Sequence, residues 1–281
     1  MELPQEALRK SILIVAHPDD EVLWFGSILN QVDKIIICFT DAEHWPDLGK
    51  AREKSLKEHA CRDRIVLLNL CQVKSHNKST WPEPEVTDYG LRLNKFPGFD
   101  EPYQDQALRL ADALEPHIRD ADNVFTHNPW GEYGHEDHVQ ISKVVTNLVA
   151  RHNRSIWYNS YVSNKSSALM RRYMHGFGKS YYTMPVDIDQ AREIADTYYR
   201  NDAWTWMEDY VWFASECFVL GPLESQPQPC TGALFPVNYV RVPFDPANQS
   251  RKPPGIFRRI RRKLRSSIIP LNSPASNAAA D

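Results

Sequence analysis

Short apolar runs recur along this chain with helix-period segments between them, and that alternation constrains the fold more than any other feature. SILIVAH (11–17), KIIICFT (34–40), RIVLLNL (64–70) and NVFTH (123–127) are nearly continuous in apolar side chains. Strands covered on both faces read this way. Residues 22–32, 48–63, 103–120 and 135–152 carry helical spacing, and the last offers Val139, Ile141, Val144, Val145, Leu148 and Val149 for burial. Further strands are expected at 156–162, 180–186 and 216–222, and a helix at 187–200 with Asp187 as its cap. The pattern predicts an α/β fold: a Rossmann-like, mostly parallel sheet with helices on both faces. The expected strand order, 3-2-1-4-5, makes the first and fourth strands neighbours where the order reverses, the place where such sheets gather ligands.

Both of those strands run straight into polar residues. The first ends in His17, Pro18, Asp19, Asp20 and Glu21, and the fourth in THNPWGEYGHEDH (126–138). Three consecutive acids repel one another, and nothing in a buried strand requires a histidine at its end. A catalytic zinc site takes three His or Asp/Glu ligands and keeps a position open for water. His17 and Asp20 are three apart across a strand-to-helix turn that can bring both onto one ion. His135 and His138 share a face at a helix start. One can complete the ligand set while the other stands beside it.

At these residues the chain resembles the PIG-L-type (LmbE-like) zinc-dependent de-N-acetylases. AHPDDE followed by Gly26, and EYGHEDH downstream, carry the resemblance, which spans residues 11–150. It implies His17, Asp20 and His138 as metal ligands, Asp19 as general base and His135 as the electrostatic and acid partner. The implied cofactor is zinc, with ferrous iron as the alternative native metal. The implied substrate is an amino sugar of the N-acetylglucosamine type in a glycoconjugate or lipid-linked saccharide. Asp137 is close enough in sequence to pair with His135 and keep it protonated. Arg52 and Tyr133 match positions that contact substrate in that family.

The plainer readings concern the neighbours. Glu21 and Glu136 read as first-turn acids, which favour the positive end of a helix. Glu132 replaces a small residue and reshapes the pocket mouth. His127 reads as a satisfied structural histidine, and His44, His59, His76, His117, His152 and His175 lack partner spacing. The aromatic run WTWMEDYVW (204–212) reads as core before it reads as a sugar platform.

Residues 1–250 are expected to form one deacetylase domain, with a core at 11–150 and a cap with further strands at 151–250. Residues 251–281 form a separate tail. Between 251 and 265 there are eight basic residues and no acid, although the whole chain has a net charge of −3. The body is therefore acidic, which argues against a nucleic-acid partner. As a helix, 256–268 would gather Ile256, Phe257, Ile260, Leu264 and Ile268 on one side and its basic residues on the other, the pattern of a peripheral membrane contact. The five cysteines are scattered, and MELPQEALRK lacks the apolar core of a signal peptide. A cytoplasmic protein is expected, with its basic tail either peripheral on the inner membrane surface or packed on the acidic body. Two other functions fit the same residues: an amidase acting on a thiol-sugar or other amide, and a membrane-associated binding protein with an inactive site.

Overall fold

The computed structural model describes residues 1–40, 45–176, 181–230 and 236–243. Its elements run α1 (Gln5–Leu8), β1 (Ser11–Val15), α2 (Asp20–Trp24), β2 (Lys34–Phe39), α3 (Pro46–Lys57), β3 (Ile65–Leu70), β4 (Val86–Thr87) and β5 (Gly90–Leu91). They continue with α4 (Asp100–Asp120), β6 (Asn123–Thr126), α5 (Glu136–His152), β7 (Ser155–Asn159), β8 (Tyr161–Ser163), α6 (Ser167–Tyr173), β9 (Tyr181–Pro185), α7 (Ile188–Arg200), β10 (Ser215–Leu220) and β11 (Asn238–Val240). Met1–Val242 make one unit and Pro243–Asp281 another. The expected helix at 256–268 lies outside the described residues. No helix among the described residues is long and apolar enough to cross a membrane.

Seven strands form the main sheet in the order β3-β2-β1-β6-β7-β10-β9. The pairs from β3 to β7 are parallel, and β10 joins β7 and β9 antiparallel. This is the mostly parallel α/β architecture that the alternation of apolar runs predicts. Successive β1 side chains go to opposite faces, as the pleat requires. Leu13 and Val15 join a core with residues of α2 and α7. Ile12, Ile14 and Ala16 join the core built on α4 and α5.

The register places the site. Ser11 to Ile14 pair with Asn123 to Thr126, so β1 and β6 end at the same level. Ala16 N–H then donates to His127 Nε2 at 2.9 Å. His17 and His127 thus leave neighbouring strand ends at the reversal of strand order, the point where such sheets open a crevice at the carboxyl ends of their strands.

Three local expectations change. The helix expected over 22–32 is only α2, ending at Trp24. Glu216 on β10 takes the Gly26 and Ser27 N–H groups at 3.0 Å each and the Ser27 hydroxyl at 2.6 Å, which turns those backbone donors away from a continuing helix. The run at 156–162 is two strands, because Ser160 turns between them, and β8 pairs with β11 instead of the main sheet. The polar stretch 72–102 holds the β4–β5 hairpin, and Glu136 anchors it by accepting the N–H groups of Asn77 and Ser79 and the Trp81 indole N–H. Glu136 is therefore a buried anchor as well as a first-turn acid.

Ile14 is fully buried in the central strand beneath the site. Ile14→Ala is expected to lower unfolding stability by about 2–5 kcal/mol, read from urea denaturation.

Candidate metal centre

The first segment of the site is a tight turn off β1. Asp19 has φ 102, a left-handed conformation that L side chains rarely adopt. Its N–H donates to Glu21 Oε2 at 3.0 Å. Asp20, one residue on, folds back: its Oδ2 accepts the His17 N–H at 2.7 Å and its Oδ1 accepts the Trp24 indole N–H at 3.0 Å. The second segment is the turn 128–135. Gly131 stands there at φ 65, where a Cβ would lie 2.6 Å from the His135 carbonyl oxygen. His135 then caps α5, its Nδ1 accepting the Asp137 N–H at 3.1 Å.

His17, Asp20 and His138 each offer one ligand atom, all within 4.8 Å of one another. Asp20 Oδ2 lies 3.2 Å from His17 Nδ1 and 3.3 Å from His138 Nε2. The surrounding hydrogen bonds fix the ring tautomers. His127 Nε2 accepts a backbone N–H, so its proton is on Nδ1, facing Glu132 Oε2 at 3.1 Å. His138 Nδ1 donates to the same Glu132 oxygen at 2.6 Å. His17 Nε2 faces Gln72 Oε1 at 3.1 Å. That leaves the His138 Nε2 and His17 Nδ1 lone pairs converging on a carboxylate oxygen. His138 Nε2 is buried and has no hydrogen-bond partner among the described residues.

Such a convergence of electron pairs requires positive charge. Burial pushes the Asp20 carboxyl up, but His138 and His17 beside it reverse this and hold it well below the usual carboxylate range. Burial pushes the His138 ring down, but Asp20 and Glu132 lift it to about 10. A proton between His138 and Asp20 meets that requirement, and so does a divalent cation, which leaves the ring neutral. The donor set, two imidazole nitrogens and a carboxylate oxygen, is that of a catalytic zinc site. Glu132 orients His138 from behind, as carboxylates do behind metal-bound histidines. It holds a φ of 47 while its carboxylate also accepts the Asn128 N–H and the Asn159 amide. Burial raises Glu132, but His127 and His138 bring it down to about 2.

Asp19 stands apart from this set. Its carboxyl is raised to about 7, by burial first and then by the Asp20 charge, against the opposing pull of Arg52 and Thr205. Arg52 is buried, and its Nε and Nη1 have no hydrogen-bond partner among the described residues. Tyr133 stands over the histidines, its ring 5.4 Å from His138 and 5.6 Å from His135. Trp206, from the aromatic run, packs on Tyr133 at 4.7 Å and on Trp24 at 5.1 Å.

The expected His135–Asp137 ion pair is replaced by a different arrangement. Asp137 offers His135 its N–H, and the carboxylate is 4.0 Å from Nδ1. Asp137 Oδ1 accepts from Ser75 and Gln106, and Oδ2 lies 3.4 Å from His17 Nε2. Burial, with His76, His138 and His17 nearby, holds the His135 ring well below its usual value. His135 is neutral, with its proton on Nε2. Sequence reasoning also missed Glu132, which it placed at the pocket mouth, and the partners of Glu21 and His59, whose side chains meet at 3.3 Å. Missed too was His76, whose tilted ring lies 4.6 Å from that of His135. A polar residue inside a buried turn is the one sequence signal that marks Glu132.

Three side chains with converging ligand atoms at strand ends, beside a separate carboxylic acid, are the arrangement that metal-assisted hydrolysis requires. The family model described as PIG-L, GlcNAc-PI de-N-acetylase, matches residues 12–149, and that region of the chain belongs to the family. A curated relative, uncharacterized protein L374 of Acanthamoeba polyphaga mimivirus, is 25% identical over 175 residues, 58% of this chain and 68% of that protein. Among solved structures, the chain is similar to an N,N'-diacetylchitobiose deacetylase from Pyrococcus horikoshii, with TM-score 0.41, 15% identity and coverage of 71% and 72% of the two chains. It is also similar to a deacetylase of teicoplanin biosynthesis, with TM-score 0.48, 14% identity and coverage of 76% and 98%.

Glu132→Gln keeps the shape of the side chain and removes its charge from behind His138. It is expected to weaken divalent-metal affinity about 10–100-fold, measured by competition with a chromogenic chelator.

Proposed function

We propose that this protein is a zinc-dependent hydrolase that removes the N-acetyl group from an amino sugar of the N-acetylglucosamine type, carried on a glycoconjugate or lipid-linked saccharide. The observation that carries the reading is the difference between two adjacent carboxylates. Asp20 is held ionised among histidine nitrogens, whereas Asp19 is balanced at about 7. Pairs of acids driven apart in this way divide the roles of ligand and proton carrier.

His17, Asp20 and His138 would hold the ion. A divalent ion bound there supplies Lewis acidity toward an amide carbonyl and toward water. Asp19, at about 7, takes the proton of the attacking water and returns it to the departing amine. His135, neutral with its proton on Nε2, donates a hydrogen bond to the carbonyl oxygen as that atom gains charge. The buried Arg52 guanidinium offers unused donors to sugar hydroxyls, and Tyr133 with Trp206 offers an apolar wall to a sugar face. The same machinery serves an amidase acting on a thiol-sugar conjugate.

Acetate release from a panel of N-acetylglucosamine conjugates tests the reading. The wild type is expected to release acetate, lose activity on chelation and regain it with zinc. Asp19→Asn is expected to lower kcat about 10²–10⁴-fold with little change in KM. A metal-loaded, folded protein that releases no acetate from any conjugate would exclude the deacetylase and leave an amidase on another amide or a binding protein.

Residues 256–268 are proposed to hold the enzyme on an anionic membrane surface, which would present lipid-linked sugars to the site. The full chain is expected to float with phosphatidylglycerol-containing liposomes and the chain lacking 251–281 to stay behind. Equal flotation of the two would remove the proposal.

A further inference from the structure

The family match ends at residue 149, yet side chains from well beyond it reach the proposed base. Thr205, in the loop after α7, donates both its backbone N–H and its hydroxyl to Asp19 Oδ2, at 3.1 Å and 2.6 Å. No described residue is seen to hydrogen-bond Oδ1. Tyr198, near the end of α7, donates its hydroxyl to Glu21 Oε1 at 2.8 Å, and the other Glu21 oxygen accepts the Asp19 N–H at 3.0 Å. Glu21 and Tyr198 are fully buried. His59 completes the set: its Nδ1 accepts the Cys61 N–H, so its Nε2 proton faces Glu21 Oε1 at 3.3 Å.

Asp19 needs such support. A left-handed φ of 102 is costly for a residue with a Cβ, and a turn keeps it only when its surroundings over-determine it. A buried carboxylate with free rotation about its side chain would also present its oxygens in more than one direction. The loop that carries Thr205 is itself anchored on both sides. Trp204 stacks on Tyr199 at 4.9 Å, and Trp206 packs on Tyr133 and Trp24. The aromatic run therefore serves to hold Thr205 in place as well as to line the site.

We propose that Thr205 and Tyr198 are positioning residues for Asp19: Thr205 orients its carboxylate so that Oδ1 is the oxygen that exchanges the proton, and Tyr198, through Glu21, holds its backbone. The inference rests on the reading of Asp19 as general base. It makes the C-terminal third of the domain a part of the catalytic apparatus and not only a cap over the substrate.

Full-length Thr205→Val, Thr205→Ser and Tyr198→Phe test it. Thr205→Val keeps the shape and the backbone donor and removes the hydroxyl. It is expected to lower kcat about 10–100-fold with KM within about twofold, and Thr205→Ser to recover most of that loss. Equal impairment by valine and serine would overturn the proposal, because packing and not the hydroxyl would then be at work. Crystal structures of the wild type and Thr205→Val provide a readout that does not depend on activity. The Asp19 carboxylate is expected to turn away from its wild-type position, and an unmoved carboxylate overturns the proposal. If the wild type releases no acetate, the reading of Asp19 as base fails separately, while the crystal comparison still decides whether Thr205 orients it. Should Thr205→Val not fold, Tyr198→Phe is expected to shift the Asp19 amide resonance in ¹H–¹⁵N spectra, and an unshifted resonance overturns the backbone half of the proposal.

Discussion

The carboxyl end of the sheet depends on how the Asp20 charge is compensated. A carboxylate buried among protein atoms is tolerated only with close partners. Asp20 has the His17 N–H, the Trp24 indole and the imidazole rings of His17, His138 and His127 around it. Its flanking acids find theirs in other directions: Asp19 in Thr205, and Glu21 in His59 and Tyr198. Three adjacent carboxylates that would repel in an open turn are thereby given three separate environments. We propose that one of them binds a cation and one exchanges a proton, while the third supports the backbone between them.

The opposite wall follows the same logic. In 128–138 the buried acids Glu132, Glu136 and Asp137 each tie a different piece of chain to the site. Glu132 holds His127 and His138, Glu136 holds the 77–81 segment, and Asp137 holds Ser75 and Gln106 beside His17. The long polar stretch between β3 and α4 is thus part of the wall behind His17 and His135. Charge brings these loops together, while the two apolar cores on either face of the sheet supply the rigid frame.

The parts of this arrangement that were legible in the sequence are those set by local pattern. Strands buried on both faces announce themselves as apolar runs, and β1, β2, β3 and β6 lie within the runs that predicted them. The convergence of His17, Asp20 and His138 follows from two polar segments at the ends of neighbouring strands. What was not legible depends on partners distant in the chain. The helix after Asp20 stops early because a carboxylate 190 residues on takes its backbone donors. Glu21, an ordinary helix-start acid by sequence, is held by a tyrosine 177 residues away. An acid two residues on predicts a protonated His135, but Asp137 turns its N–H toward the ring and its carboxylate toward His17.

By itself, then, the sequence determined the order of strands and helices, the crevice between the first and fourth strands of the parallel sheet, and the residues that meet there. Those depend on side-chain period and on chemistry within a few residues. Only the tertiary structure decided which nitrogen of each histidine is free, which of the adjacent acids stays ionised, and which side chains hold Asp19. Protonation and orientation are set by burial and by charges and hydrogen bonds within a few ångströms, and at this site those partners arrive from α3, α5, α7 and the loop after it.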